Sequence, residues 1–368
     1  MHIAIIGCGQ LARMMALDGW RMGYTFTFAA FPGESVQPVE GLGEIVEVPD
    51  SLRGEALFKA LGEPAVVTVE REDVDTDMLR DVQQFCNVYP SPEAIEKCKH
   101  RGVEKSFLRD IGVPTAPFAL ADCADSVAKG VAEVGLPVII KSCQQGYDGR
   151  GQWRLKTQED LDTWLEENQV SMEYIVEGVI SFEREISTVS VRAADGRCAF
   201  YPAAENHHEN GILLTSIAPA AFADDALKAE AQQITQKILD ALDYTGVLSV
   251  EFFVTQDQRL LVNEMAPRVH NSGHWTQAAG VCSQFANHLL GITDQPLGET
   301  NPVCHTAMVN LLGKEVDKDL PCRGNVQVHL YNKSIRPGRK VGHINLWDID
   351  RGRLEQQMLS LKESIYQD

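Results

Sequence analysis

A lysine closes one apolar run, and a glycine-rich stretch follows it: Lys141-Ser-Cys-Gln-Gln-Gly146-Tyr147-Asp148-Gly149-Arg150-Gly151-Gln152. Glycines place no Cβ between backbone amides and an anion, so such a loop can lie flat over phosphates. Lys141 then offers a cation to an α- or β-phosphate. No Gly-Lys-Ser/Thr closes the segment and strands are expected on both sides, so it is not a Walker loop. A plain glycine-rich hairpin accounts less well for three glycines set among Lys, Asp and Arg.

A second constellation is Glu251-Phe-Phe-Val and, beyond a short turn, Asn263-Glu264-Met-Ala-Pro-Arg268. Both acids are expected at the ends of adjacent strands, where a hairpin would bring the carboxylates together. Two carboxylates and an amide oxygen are hard ligands of the kind Mg²⁺ or Mn²⁺ takes when bridging nucleotide phosphates. Two surface acids flanking a hairpin remain the other reading at this stage. Near the N-terminus, Gly7-Cys-Gly9-Gln-Leu-Ala12 fits a strand–turn–helix phosphate fingerprint. The second strand ends Phe28-Ala-Ala-Phe31 with no acid before Glu34, so nicotinamide dinucleotide binding is not expected. A phosphate role and a turn needed only for packing stand equal there. Finally, Lys333, Arg336, Arg339 and Lys340 fall within eight positions around Pro337-Gly338. That turn can present its arginines to one side, as a forked phosphate site requires.

The elements that must position these groups follow from periodicity. Residues 1–95 alternate short apolar runs (3–6, 24–28, 65–69) with helical patterns, the mark of a parallel α/β sheet. Tyr89-Pro-Ser-Pro92 closes that unit, and one polar helix is expected over about 93–110. Strands are expected at 138–140, 153–155, 173–177, 185–192 and 198–202, with a long helix over 223–242. A hairpin follows at 248–254 and 260–263, then short strands at 326–331 and 343–346 and a helix near 353–361. The expected organisation is three units: 1–95, 96–300 and 301–368.

With 368 residues, 52 acidic against 33 basic and a net charge of -19, the chain is a poor partner for nucleic acid or anionic lipid. Local basic clusters can still bind a small anion. Nine single cysteines without a Cys-x-x-Cys pair give little support to a zinc site and fit a reducing, cytoplasmic setting. The apolar run 3–6 ends at Gly7, too short for a signal-peptide core, and no run reaches the ~20 apolar residues of a membrane span.

A lysine before a glycine loop, followed by a hairpin Glu…Asn-Glu, resembles the ATP-grasp superfamily. Three strings narrow the resemblance: Gly146-Tyr-Asp-Gly-Arg-Gly-Gln152, Asn263-Glu-Met-Ala-Pro-Arg-Val-His-Asn-Ser-Gly-His-Trp-Thr276 and Arg336-Pro-Gly-Arg-Lys-Val-Gly-His343. These, with Gly7-x-Gly-Gln-Leu-x-Arg-Met14 and Asn206-His-His208-Glu-Asn-Gly-Ile212, are similar to the N5-carboxyaminoimidazole ribonucleotide synthetases, over about 2–350. The resemblance implies an ATP-grasp fold with an N-terminal Rossmann-like parallel-sheet domain and a small C-terminal domain. It implies ATP- and bicarbonate-dependent carboxylation of an aminoimidazole ribonucleotide amine through carboxyphosphate, in purine biosynthesis, by a homodimer.

Carried over residue by residue, the ATP site comprises Arg101, Lys141, Gly146, Tyr147, Asp148, Gly149, Arg150, Gly151, Glu177, Gly178, Val179, Ile180, Glu185, His208, Asn263 and Glu264. Metal ligation falls to Glu251, Glu264 and Asn263. The ribonucleotide is implied to meet Glu70, Tyr147, Asp148, Arg268, His270, Asn271, Ser272, Lys333, Arg336 and Arg339. Lys141, Asp148, Arg268 and His270 are the candidates for chemistry. His2, His100, His274 and His305 are expected to be structural. Tyr147 either packs on the imidazole or anchors its loop. Gln145 replaces a glycine usual in the family, and Glu70-Arg-Glu72 replaces an acid–aromatic–acid pattern, leaving open which acid faces substrate. The alternatives are a formate-dependent glycinamide ribonucleotide transformylase or other ATP-grasp ligase, and a non-catalytic nucleotide-binding regulator.

Overall fold

The first apolar run becomes the centre of a parallel sheet. The computed structural model describes residues 1–144, 151–168, 172–221, 225–317, 319–320 and 324–367. Strands β1 (His2–Ile6), β2 (Thr25–Ala30), β3 (Glu44–Glu47), β4 (Val66–Val69) and β5 (Asn87–Val88) pair in parallel in the order β3-β2-β1-β4-β5. Successive β1 side chains enter opposite faces. Ile3 and Ile5 pack into the core shared with the rest of the chain, and Ala4 and Ile6 into the core of this unit. Helix α1 (Gln10–Arg21) lies on the first face, and α2 (Gly54–Ala60) and α3 (Thr76–Gln83) pair with one another.

The expected single helix over 93–110 is two helices, α4 (Pro92–Cys98) and α5 (Arg101–Asp110). Each has its own cap, which is why the chain restarts. Ser91 Oγ accepts the Ala94 amide at 3.2 Å, and His100 Nδ1 accepts the Val103 amide at 3.2 Å. An antiparallel sheet follows, with β6 (Phe118–Ala121), β7 (Val138–Ser142), β8 (Gln152–Leu155) and β9 (Tyr174–Gly178) in the order β6-β9-β7-β8. Helices α6 (Ala124–Val134) and α7 (Gln158–Glu167) cover one face.

The third sheet has nine strands among the described residues: β10 (Phe182–Arg192), β11 (Cys198–Phe200), β12 (Ala204–Glu209), β13 (Ile212–Ala218), β14 (Gly246–Thr255), β15 (Leu260–Ala266), β16 (His305–Leu312), β17 (Val326–Leu330) and β18 (Lys340–Asp348). Its order is β15-β14-β10-β12-β13-β16-β18-β17, with β11 beside β10. Val250, Phe252 and Val254 of β14 pack on α8 (Asp225–Ala241), so the alternate residues Glu251 and Phe253 face the other way. The β13–β16 pairing means that residues 301–368 extend this sheet, although they carry a core of their own against α10 (Arg351–Tyr366). Residues 305–312, not expected as a strand, form β16.

Helix α9 (Gln284–Ile292) joins the first and third sheets. Its buried His288 accepts the Val247 amide on Nδ1 at 3.0 Å, which leaves Nε2–H to donate to Thr68 Oγ1 at 2.8 Å. Burial lowers that imidazole to about 4, so it is neutral in this role. Among the described residues no helix is long and apolar enough to cross a membrane, and the eight described cysteines are free.

Candidate active site

Strands β7 and β9 run side by side, pairing Lys141 with Ile175 and Ile139 with Glu177. The Lys141 ammonium and the Glu177 carboxylate form an ion pair, and Lys105 Nζ lies 3.4 Å from the other carboxylate oxygen. Glu177 is buried, which by itself would raise its pKa. The charges of Lys105 and Lys141 outweigh that and hold it at about 2. Arg101 opens α5 against the end of β7, its amide donating to Cys143 O at 3.0 Å and its guanidinium to Ser142 O at 2.7 Å. Beside these cations is a cleft of about 310 Å³, lined by Glu177, Gly178, Val179 and Ile180 and walled by Ile139, Phe182 and Phe253. The two phenylalanine rings stack with centroids 4.7 Å apart. A flat apolar wall beside exposed backbone suits an aromatic base.

Gly151 ends the glycine segment with φ +66°, where a Cβ would lie 2.6 Å from Ser142 Oγ, so only glycine fits there. Gly146, Tyr147, Asp148, Gly149 and Arg150 lie outside the described residues.

On the β14–β15 hairpin, Glu251 and Glu264 are direct cross-strand partners. They lie within their strands, not at the expected strand ends. The register shifts between Glu251 and Phe252, whose partners are Glu264 and Val262, so Asn263 is the extra residue of a bulge. A bulge sets two residues against one on the partner strand and re-aims their side chains. Burial, then the charge of Glu264, pushes the Glu251 carboxyl upward. Paired oxygen ligands that repel one another are a fit for a hard divalent cation. Among the described residues no group of three or more His, Cys, Asp or Glu converges. Two carboxylates and an amide oxygen, the set expected from Glu251, Glu264 and Asn263, would leave coordination positions for phosphate oxygens.

His270 stands over this pair, with Nδ1 3.7 Å from Glu251 Oε1 and 2.9 Å from Ser272 Oγ. Burial, reinforced by Arg268, Lys340 and His208, lowers its pKa well below the usual value and keeps it neutral. His208 behaves in the opposite way. Burial would lower it, but its 3.0 Å contact with Glu185 and the charges of Glu251, Glu185 and Glu264 raise it.

Arg268 grips Glu72 with Nε and Nη2, the latter at 3.0 Å. Burial would raise the Glu72 carboxyl, yet the guanidinium brings it below its usual value. Asn271 exchanges amide hydrogen bonds with Asn310 at 3.0 and 2.6 Å, and Ser272 is fully buried in the short 3₁₀ helix Asn271–Gln277. Glu70 takes the start of α1, accepting the Gly9 amide at 2.6 Å and the Ala12 amide at 3.2 Å. A Cβ on Gly7 would lie 2.6 Å from Glu70 Cγ, so the glycines make room for a carboxylate. The group at this helix start is thus the chain's own Glu70 carboxyl, which burial pushes upward. Lys333 donates to the Gln10 side chain, and burial, with Arg339 and Lys340 nearby, lowers its ammonium to about 8. Arg339 donates to Ser334 Oγ at 2.6 Å, while Arg336 is exposed on the same turn.

Sequence reasoning missed Glu104 and Lys105, both buried on α5, and the walls Ile139, Phe182 and Phe253. Lys105 shares a helical face with Gly102 and Leu108, so two charges in the buried phase of a helix were the available signal. Phe253 follows Glu251 by two, which on a strand means the same face.

Family models match in three places: a ribonucleotide synthetase preATP-grasp domain over residues 1–99, an ATP-grasp domain over 106–285, and a phosphoribosylaminoimidazole carboxylase C-terminal domain over 306–357. The N5-carboxyaminoimidazole ribonucleotide synthase of Pseudomonas aeruginosa is 38% identical over 99% of this chain and 99% of its own. The crystal structure of N5-carboxyaminoimidazole ribonucleotide synthetase from Thermus thermophilus superposes with a TM-score of 0.91 at 39% identity, covering 99% and 98% of the two chains. The Aspergillus clavatus enzyme, crystallised with ADP and 5-aminoimidazole ribonucleotide, matches with a TM-score of 0.86 at 28% identity, covering 98% and 97%.

Proposed function

Because the chain belongs to the N5-carboxyaminoimidazole ribonucleotide synthase family, we propose that it carboxylates the amine of 5-aminoimidazole ribonucleotide with ATP and bicarbonate. The observation that carries the reading is convergence. Lys141 and Glu177 line the cleft with Phe253, Phe253 shares β14 with Glu251, Glu251 pairs with Glu264, and His270 lies 3.7 Å from Glu251, which supports reading them as one site.

Bicarbonate carbon is a weak electrophile, and ATP makes it reactive. A bicarbonate oxygen bonds to the γ-phosphorus as the bond to the β,γ-bridging oxygen breaks, giving carboxyphosphate and ADP. Lys141 and Arg268, which pair with Glu177 and Glu72 here, are the proposed cations to offset the charge that migrates. Mg²⁺ or Mn²⁺ held by Glu251, Glu264 and Asn263 would supply further positive charge to the phosphoryl oxygens. The ribonucleotide amine then bonds to the carboxyl carbon, either as it stands in carboxyphosphate or after release of CO₂ within the site. Phosphate leaves, and the amine gives up a proton. Asp148 is the proposed group for orienting that amine, and residues 146–151 form the proposed cover that keeps water from carboxyphosphate. Neutral His270, held by Ser272, is placed to donate or accept a hydrogen bond with bicarbonate or the substrate. Lys333 and Arg339 are proposed to receive the 5′-phosphate.

ADP release that requires bicarbonate and aminoimidazole ribonucleotide together is the expected result. Release driven by formate and glycinamide ribonucleotide, or nucleotide binding without turnover, would overturn the proposal. We further propose a cytoplasmic homodimer, expected in sedimentation as a species of twice the 40.7 kDa chain mass.

A further inference from the structure

Strand β15 is the outermost strand of the nine-stranded sheet. Apart from one parallel bridge between Val262 and Thr115, one side of its backbone has no strand to pair with among the described residues, and those polar groups must be met otherwise. Two neighbouring side chains of α5 meet them at the residues that bracket the bulge. Lys105 Nζ donates to the Val262 carbonyl at 3.2 Å, and Glu104 Oε1 accepts the Met265 amide at 2.7 Å. Between those anchored residues lie Asn263 and Glu264. The Val262 amide is also held, donating to Pro114 O at 2.8 Å in the chain that leaves α5.

Glu104 and Lys105 are 4% and 3% exposed. Burying ionisable side chains is costly, and burial pushes the Glu104 carboxyl up to about 8; well-packed apolar residues of similar volume commonly serve stability as well or better. Neither residue lines the nucleotide cleft. What the pair does that apolar side chains could not is fix two backbone groups on either side of an irregular turn of strand. A bulge leaves one residue unpaired and disrupts the ladder around it. The two side chains that must reach one cation project from this point.

We propose that Glu104 and Lys105 are positioning residues that clamp the β15 bulge, so that Asn263 and Glu264 meet the nucleotide-bound divalent cation together with Glu251. The inference rests on reading the hairpin as the metal–nucleotide site. Lys105 also contacts Glu177, so the same clamp ties the bulge to the strand that borders the base cleft.

The test is Mn²⁺ binding to the ADP complex, followed by electron paramagnetic resonance, beside steady-state kinetics. Glu104→Leu removes the acceptor, and Glu104→Gln keeps an oxygen in its place. Outer partners of metal ligands typically contribute about 10–100-fold in metal affinity or activity. Glu104→Leu is therefore expected to weaken Mn²⁺ binding by about tenfold or more, to lower kcat, and to leave the KM for aminoimidazole ribonucleotide unchanged. Glu104→Gln should restore Mn²⁺ affinity close to wild type. If Glu104→Leu does not fold, Lys105→Met removes the other anchor and carries the same readout. Unchanged Mn²⁺ affinity in a folded variant overturns the clamp while leaving the functional reading intact. Unfolding of both variants makes the pair a folding element and also overturns it. Wild-type protein that binds no Mn²⁺ with ADP, or releases no ADP on the two co-substrates, refutes the functional reading itself and the clamp with it.

Discussion

Replacing Glu177 with glutamine removes one charge from a buried triad and leaves Lys105 and Lys141 facing a neutral amide. The carboxyl is held at about 2 against an ordinary 4.5. That difference corresponds to about 3 kcal/mol of folded-state stabilisation at neutral pH. The side chain is only 5% exposed, so solvent screening takes little from it. Because the folded value is depressed, the contribution is fully present above about 4.5 and is lost as pH falls through about 2. Chemical denaturation of wild type and Glu177→Gln without nucleotide reads this directly. The expected gap is about 3 kcal/mol at pH 7, narrowing to about 2 kcal/mol at pH 3.5. A gap that does not change over that range would come from packing, and the ion-pair reasoning would be refuted. The absence of any gap would refute it more simply.

Glu264→Gln is expected to keep the fold and lose ATP turnover by about 10²–10³-fold, since an amide replaces one of two facing carboxylates; near-normal bicarbonate-dependent ADP release would contradict the metal assignment. Arg339→Ala should raise the KM for aminoimidazole ribonucleotide far more than that for ATP, because a remote phosphate contact supplies mostly uniform binding. Equal changes for both substrates would assign the turn a folding role instead. Asp148→Asn should leave part of the bicarbonate-dependent ATP hydrolysis while carboxylation fails, so that phosphate released per carbamate formed rises well above one. Loss of both in strict proportion would place Asp148 in the phosphoryl step.

The parts of this molecule legible in the sequence are those where local chemistry and periodicity agree. The alternation at 3–6 and the hairpin at 248–263 appear in the structure as β1 and β14–β15. Residues 93–110 show what periodicity alone misses. Helical spacing continues across His100, but a side-chain cap restarts the helix, and only three-dimensional placement reveals that cap. The acids of residues 69–73 show a second limit. Charge pattern left Glu70 and Glu72 equivalent, whereas the fold assigns one to backbone amides of α1 and the other to Arg268, 196 positions away. The partners of Glu104 and Lys105 were hidden for the same reason, since they lie in β15 and β9. The site motifs were readable because they are contiguous. The contacts that orient them are not.

The continuous third sheet bears on how the chain is made. Residues 215–218 of β13 pair with residues 306–309 of β16, and among the described residues no strand earlier in the chain takes that side. As the polypeptide leaves the ribosome, β13 therefore carries an open edge until almost a hundred further residues have emerged, while the parallel sheet of residues 2–88 already holds all its strands. An unpaired edge is a template for pairing with another chain. The hydrophobic run His305–Leu312 thus serves as a late closing strand as well as the base of the terminal unit. A chain cut near residue 300 would keep most residues of the site and lose the strand that keeps the nascent protein from pairing with its neighbours.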